Sequence, residues 1–290
     1  MSDARILDTG YRRYTGPRLG PRHAVRSVVA STLRRILGLR RPARNKILPV
    51  LTIVFSYVPS IVFVGVVALL SRFDSQEVES LVPKYEDYYG FIISAIVLFV
   101  TFVAPEALCP DRRYRVLSLY LASPLTRMTY LLGKATAIFA VIAMVTVGPV
   151  LLLLLGLSLQ GFGPDGFLGF MGTLGRVVGA GLMLAAFYTA LTVGVASLTD
   201  RRAIAAAATL LLLIGSNIVA NTLHFGLDAP DEWMLLSLTL APFQLLRRIY
   251  GAPDFEFSMA TSTVILANVA WIAFGAAIAV VRYRRLQVTR

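Results

Sequence analysis

The chain has 290 residues, of which 57% are hydrophobic and 15% are charged, and its mean hydropathy is +0.71. A composition this apolar is typical of a protein built to sit in lipid and argues against a water-soluble globular domain. The net charge is +12. It does not indicate a nucleic-acid partner, because most of it follows the membrane topology derived below.

A basic arm comes first: residues 1–46 contain twelve basic and two acidic residues. Basic residues beside an anionic leaflet are worth about 1 kcal/mol each, so we expect the arm to bind anionic membrane lipids. Apolar residues at helical spacing over about 23–39 predict an amphipathic surface helix. Residues 1–22 are rich in Gly, Pro and Arg, and they are either a disordered tail or a segment that folds against a partner.

Six apolar runs are each long enough to cross a hydrocarbon core, which takes about 20 residues. Backbone groups in lipid must be hydrogen-bonded within their own segment, so we expect helices and an all-α integral membrane protein. These spans lie in a transmembrane domain over 47–285, which a short tail follows at 286–290. The predicted spans are 47–70, 89–108, 132–159, 177–198, 203–223 and 261–281.

The distribution of charge predicts the orientation. The arm, residues 105–134, residues 200–202 and the C-terminal residues 282–290 together hold 23 of the 28 basic residues and 5 of the 16 acidic ones. Cytoplasmic segments near span ends carry the basic excess, so we expect both termini in the cytoplasm. The one cysteine, Cys109, falls at a cytoplasmic span end, and we expect it to be structural.

The segment between the second and third spans is polar and amphipathic. Pro110 and Asp111 suit a helix start and Pro124 a helix stop, which predicts one helix over about 111–121. Its beginning is cationic and its end is apolar, so we expect it to insert into the cleft of a partner. We also expect Asp111 and Glu106 to form local ion pairs with Arg112 and Arg113.

These residues resemble the link between the second and third spans in permease subunits of type-2 ATP-binding-cassette (ABC) transporters. In that family the helix is a coupling helix that fits a groove on the ATPase subunit. The resemblance assigns the coupling role to Asp111, Arg112, Arg113, Arg115, Leu117, Leu119, Tyr120, Leu121, Pro124 and Arg127. The chain departs from the family at Arg115, where members often have Gly.

The chain has no P-loop of its own. Gly133 and Lys134 are followed by Ala135, and Met128 stands where the first Gly of the motif belongs. We therefore expect Lys134 to extend toward the interface and the chain to be neither an enzyme nor a cofactor binder. The resemblance implies a separate ABC ATPase that binds ATP and Mg, a second permease copy or close relative, and a bacterial-type plasma (inner) membrane.

The outer segment, 224–260, is too apolar for a solvent loop and predicts two short helices broken at Pro242, either re-entrant or interfacial. We expect Trp233, Phe243 and Tyr250 to anchor it at the interface. His23 and His224 lie on opposite sides and have no acidic or Cys neighbours at ligand spacing, so no metal site is predicted.

Polar residues within the spans concentrate in the fifth. They are Ser216, Asn217 and Asn221. They either line a translocation path or form hydrogen bonds between helices, and both interpretations remain open.

The sequence thus favours the permease subunit of an ATP-driven exporter. The alternative is a non-transporting membrane scaffold or sensor that recruits a cytosolic partner through its arm and the 109–134 loop. The apolar spans are compatible with a lipid-like, drug-like or peptide cargo.

Overall fold

The structure, a computed structural model, describes residues 16, 19–39, 42–43, 46–71, 83–251 and 257–285. Most of the predicted tail over 1–22, and the C-terminal tail 286–290, lie outside the described residues. Within them the chain is helical and contains no strand. The prediction of an all-α membrane protein is confirmed.

The described α-helices differ widely in length. The short ones flank and interrupt the long ones. In chain order they are α1 (Gly20–Ile36), α2 (Ile47–Leu70), α3 (Tyr85–Leu98), α4 (Cys109–Arg113), α5 (Leu117–Leu121), α6 (Arg127–Leu159), α7 (Gly166–Leu198), α8 (Arg202–Asn221), α9 (Leu240–Tyr250) and α10 (Thr261–Arg285).

Six helical segments are long and apolar enough to cross a membrane. They are Ile47–Leu70, Tyr85–Arg113, Arg127–Leu159, Gly166–Leu198, Arg202–Gly226 and Thr261–Arg285. Each contains most of one predicted span. The second, third and fourth begin earlier than predicted, because helical hydrogen bonding continues beyond the apolar run, in the fourth through Arg176. The surface helix α1 covers most of the predicted 23–39 range.

Side-chain contacts define two ends of the bundle. At the first, here called the basic end, α1, residues 104–127, residues 197–202 and the last turn of α10 are joined by ion pairs and hydrogen bonds. At the opposite end, Gln160 donates to the Val64 carbonyl and Tyr89 to the Val177 carbonyl. The long helices therefore run alternately from one end to the other.

Helices α3, α6 and α7 form the centre of the bundle, where 50–61% of each span's most apolar window is buried, against 17–28% for α2, α8 and α10. Helices α7 and α10 approach each other closely at two glycines. A Cβ on Gly275 would lie 2.5 Å from the Ala190 carbonyl oxygen, and one on Gly194 would lie 2.8 Å from the Gly275 oxygen. A side chain at either position would force the helices apart.

The second span changes winding as it nears the basic end. After α3 the chain forms a π-helical turn, Phe99–Val103, and then a 3-10 turn, Ala104–Ala107. Pro105 has no N–H to donate to the Thr101 carbonyl, so the regular α-helical ladder is interrupted there. The irregular turns redirect the chain into α4.

The outer segment forms a 3-10 helix, Asp231–Leu236, and then α9. The predicted break at Pro242 is wrong: the break falls at 237–239, and Pro242 sits in the first turn of α9, where its missing N–H leaves no helical bond unmade. Tyr250 was predicted as an interfacial anchor, but it is buried beside Tyr89, with ring centroids 6.2 Å apart. Trp233 is exposed as expected.

Two asparagines fix how deeply the outer segment dips. The Asn217 side chain donates hydrogen bonds to the hydroxyls of Ser237 and Thr239, and the Asn268 side chain donates to the Ala241 carbonyl. Asn217 lies four residues before the end of α8 and Asn268 seven residues after the start of α10. At 1.5 Å per residue these positions are about 6 and 10 Å inside the helix ends. The segment therefore re-enters the bundle rather than lying flat on it.

Candidate functional site

The surface helix α1 is seated on α6 at the basic end. Pro21 opens α1 at a position where a missing N–H costs nothing, and Val28, Thr32 and Ile36 are buried on one face. Gly133 makes the close approach possible, since a Cβ there would lie 3.2 Å from the Val28 side chain. The middle of α1 is thus held against the start of α6.

Asp111, in the first turn of α4, is the centre of a buried charged group. Its carboxylate pairs with Arg35 of α1 and with Lys134 of α6, whose Nζ lies 2.6 Å from Oδ2. The Tyr130 hydroxyl donates to the same Oδ2 at 2.6 Å. The side chains of Asp111 and Lys134 are each only 1% exposed. These four residues, Asp111, Arg35, Tyr130 and Lys134, are called the Asp111 cluster below.

Two aromatic rings complete the surroundings of Lys134. Its ammonium lies 5.4 Å from the centroid of the Tyr130 ring and 5.7 Å from that of Tyr120. A buried amine needs a countercharge and polarisable neighbours, and this one has both. The prediction that Lys134 extends toward the interface is therefore wrong.

Arg35 stays charged in this setting. Burial lowers the pKa of its guanidinium, but the hydrogen bond and the negative charge of Asp111 outweigh that effect and raise the pKa above its ordinary value. The Asp111 cluster therefore joins α1, α4 and α6 through ion pairs. The expected local pairing of Asp111 with Arg112 and Arg113 is wrong, since both Asp111 cations come from distant helices.

Arg112 ties α4 to the end of α7 instead. Its guanidinium donates to the Ser197 carbonyl and, at 3.2 Å, to the Thr199 carbonyl. The last carbonyls of a helix lack intrahelical partners and carry partial negative charge, so a guanidinium suits this position. Nearby, Glu106 pairs with Arg202 at the start of α8.

Arg127 makes a similar contact farther along the chain. Its guanidinium donates at 3.0 Å to the Arg284 carbonyl in the last turn of α10. Of the residues predicted to contact a partner, Asp111, Arg112 and Arg127 thus serve contacts within the chain. The 106–127 segment is bound to α1, α6, α7, α8 and α10.

The predicted helix over 111–121 is wrong in one respect: it is two helices, α4 and α5, joined by a turn at 114–116. Arg115 occupies the left-handed region with φ 54°. The Val116 N–H bonds the Asp111 carbonyl at 3.1 Å, and the Arg115 N–H bonds the Arg112 carbonyl at 3.2 Å. This is a Schellman motif, whose left-handed residue is usually Gly. Arg115 therefore holds a conformation that favours glycine.

The turn pushes a small surface outward. The exposed side chains Arg113, Tyr114, Arg115 and Leu119, called the tip below, include two large apolar groups, Tyr114 at 72% and Leu119 at 73% exposure. Pro124 is also exposed. The remaining predicted residues, Leu117, Tyr120 and Leu121, are half-buried, and Leu117 and Tyr120 pack on the core. The predicted apolar face thus divides into an inner and an outer half.

The polar residues of α8 contact the outer segment at the opposite end. Asn217 donates to Ser237 Oγ at 3.3 Å and to Thr239 Oγ1 at 3.0 Å. Asn221 donates to the Asn217 carbonyl and side-chain oxygens at 2.8 Å, and Ser216 accepts from the Leu238 N–H at 3.1 Å. These contacts favour the interpretation as hydrogen bonds between segments.

Sequence reasoning missed the partners of these groups. Arg35, Tyr130 and Lys134 surround Asp111 from 19 to 76 positions away, and no local spacing joins them. A lysine within an otherwise apolar run was the one available signal. In the part of the chain that the structure describes, no group of three or more His, Cys, Asp or Glu is arranged to hold a metal ion.

Comparisons with known proteins add no assignment. No known family model matches the chain, and no curated protein matches it at a significant level. The feature of the structure that bears on function is the exposed tip, which lies on a segment bound to most of the bundle.

Proposed function

We propose that the chain is the permease subunit of an ATP-driven type-2 ABC exporter. The observation that carries the proposal is the tip, an exposed apolar and cationic surface on the segment between the second and third spans. Exposed Tyr114 and Leu119 beside Arg113 and Arg115 have the composition of an interface anchor rather than of an ordinary solvent loop. The proposed partner is an ABC ATPase that binds ATP and Mg.

The proposed orientation of the chain in the membrane follows from its charge distribution. Helix α1 and the tip lie at the basic end, and segments rich in Lys and Arg stay in the cytoplasm. The proposed location is a bacterial-type plasma (inner) membrane with both termini cytoplasmic and the arm on anionic lipids. A second copy or a close relative of the chain completes the transporter.

The contacts at the basic end suit transmission of movement. A push on the tip reaches α6 and α1 through the Asp111 cluster, and α7 through Arg112. Because these are charged contacts in a packed surrounding, α4 cannot yield without moving the helices to which it is paired. Closure of the ATPases on ATP would thus shift α6 and α7 as a body and change the access of the translocation path.

The test uses the tagged full-length chain purified from its native membrane. We expect a P-loop ATPase to copurify in stoichiometric amount, and Leu119→Asp to abolish copurification while membrane insertion stays normal. Leu168→Asp, which changes a still more exposed leucine at the opposite end, is the matched control and should retain the ATPase. Leu119 is a sharper probe than Leu117, which is half-buried against the core.

Two results would overturn the proposal. One is a chain that purifies without any ATPase, which would favour the scaffold or sensor. The other is an ATPase whose binding and drug- or lipid-stimulated hydrolysis are the same in wild type and Leu119→Asp.

A further inference from the structure

A long apolar groove runs along one flank of the bundle. Two adjoining cavities of about 840 and 570 Å³ form it, and both are lined by Leu236, Trp271 and Phe274. Volumes in this range suit drug-sized ligands. We call the joined cavities the lateral groove.

The lateral groove lies between α8 and α10, with α7 as its floor. On α10 its lining extends from Thr263 to Ile278, which is about 22 Å at 1.5 Å per residue. Leu211, Leu266 and Phe274 line it and are exposed, so the groove opens sideways. In a membrane-spanning bundle a sideways opening faces the hydrocarbon, from which an amphiphile can enter.

The charge of the lateral groove is confined to one end. Glu232 is the sole ionisable residue among the described residues that line it, and it is exposed beside Trp233 at the outer mouth. No Lys or Arg appears in the same described lining. A carboxylate at the mouth of an apolar groove attracts a cation and repels an anion.

Aromatic rings are concentrated in the same groove. The chain has two tryptophans, Trp233 and Trp271, and both line it. The Trp271 indole N–H donates to the Leu235 carbonyl at 3.0 Å, and the ring meets Phe274 edge to face at 6.0 Å. The ring is therefore fixed in place. Fixed indole faces attract organic cations by cation–π interaction.

We propose that the lateral groove binds a lipophilic organic cation, with its charge at Glu232 and its apolar body along α10. A phospholipid is a poor occupant, because its phosphate would meet Glu232 with no basic partner. The inference concerns binding by this chain alone. If the chain is an exporter subunit as proposed above, lipophilic organic cations are also its class of cargo, and this second statement rests on the proposed function.

The test uses the full chain in nanodiscs of neutral lipid, without any ATPase. Tetraphenylphosphonium and tetraphenylborate have the same shape and opposite charge, and the two groove tryptophans report their binding by fluorescence. We expect saturable binding of the phosphonium, weakened up to about five-fold by Glu232→Gln, because an exposed ion pair contributes no more than about that factor to an affinity. Glu232→Lys should favour the borate.

Asp228→Asn is the matched control, since Asp228 is exposed at the same end and does not line the groove. It should leave both affinities unchanged. Comparing each variant with wild type cancels the partitioning of the ions into the bilayer.

Binding of the phosphonium that is equal in wild type and Glu232→Gln would overturn the inference. So would tryptophan fluorescence that responds to neither ion, the result expected if a second copy covers the groove. Neither result bears on the ATPase copurification test, because the binding experiment contains no ATPase.

Discussion

Replacing Asp111 by Asn removes the negative charge of the Asp111 cluster at almost constant volume. Lys134, 1% exposed, and the nearby Arg35 then face a neutral amide. At 2.6 Å and an effective dielectric constant of 20, the Asp111–Lys134 attraction is about 6 kcal/mol. Desolvation offsets part of it, and loss of one partner from a buried pair costs about 3–5 kcal/mol. We expect the variant to lose stability in that range.

A double variant separates charge from packing. Lys134→Met removes the buried amine and keeps an apolar chain of similar length. In Asp111→Asn/Lys134→Met no uncompensated buried charge remains, since Arg35 is 26% exposed and can reach water. The double variant should therefore be more stable than Asp111→Asn alone, with a coupling energy of about 1–3 kcal/mol.

The assay is thermal unfolding of the purified full chain in detergent, followed by fluorescence. One kcal/mol shifts Tm by about 2–4 °C in chains of roughly 200 residues, so Asp111→Asn should lower Tm by about 10 °C. Asp200→Asn, an exposed carboxylate at the same end, should change Tm by about 2 °C or less. A Tm for Asp111→Asn within that margin, or a double variant less stable than Asp111→Asn, would refute the reasoning.

Three further predictions use the same assay unless stated. Arg115→Gly should stabilise the chain by about 1 kcal/mol, because a left-handed conformation costs a non-glycine residue about that much; a lower Tm would contradict the Schellman assignment. Gly275→Ala should cost about 1–3 kcal/mol by pressing on the facing carbonyl of α7, whereas Gly179→Ala, with nothing within 4 Å, should be neutral or stabilising. Asn217→Ala should cost about 1 kcal/mol and speed amide exchange over 237–241, measured by mass spectrometry; unchanged exchange there would show that Asn217 does not hold the turn.

The spans were predictable because each depends on local composition. A charge-free run of about 20 residues has few stable options in lipid other than a helix, so all six emerged from the sequence. The starts of α6 and α7 were missed because hydropathy reports contact with hydrocarbon, whereas helical hydrogen bonding continues past it. Lys134 is the clearest case: it reads as an interfacial residue until its buried partner is known.

The Asp111 cluster could not be predicted from the sequence, because its members meet only after α1, α4 and α6 pack together.

The turn at 114–116 was missed for a different reason. Arg115 is a good helix former by intrinsic propensity, and nothing in its neighbours indicates a left-handed residue. The pairing across the turn overrides that propensity. Its position matches the place where the resembling family often has Gly, and this was the one signal that pointed to a break.

Cys109 is fully buried, and its thiol faces the Ala196 carbonyl at 3.9 Å. Since the chain has no other cysteine, a membrane-impermeant maleimide should find almost nothing to react with in the native protein. The natural chain is therefore ready for site-directed labelling. A cysteine placed at Ser118 in α5, and another at Thr263 in the first turn of α10, would each report from which side of the membrane its end of the bundle is reached.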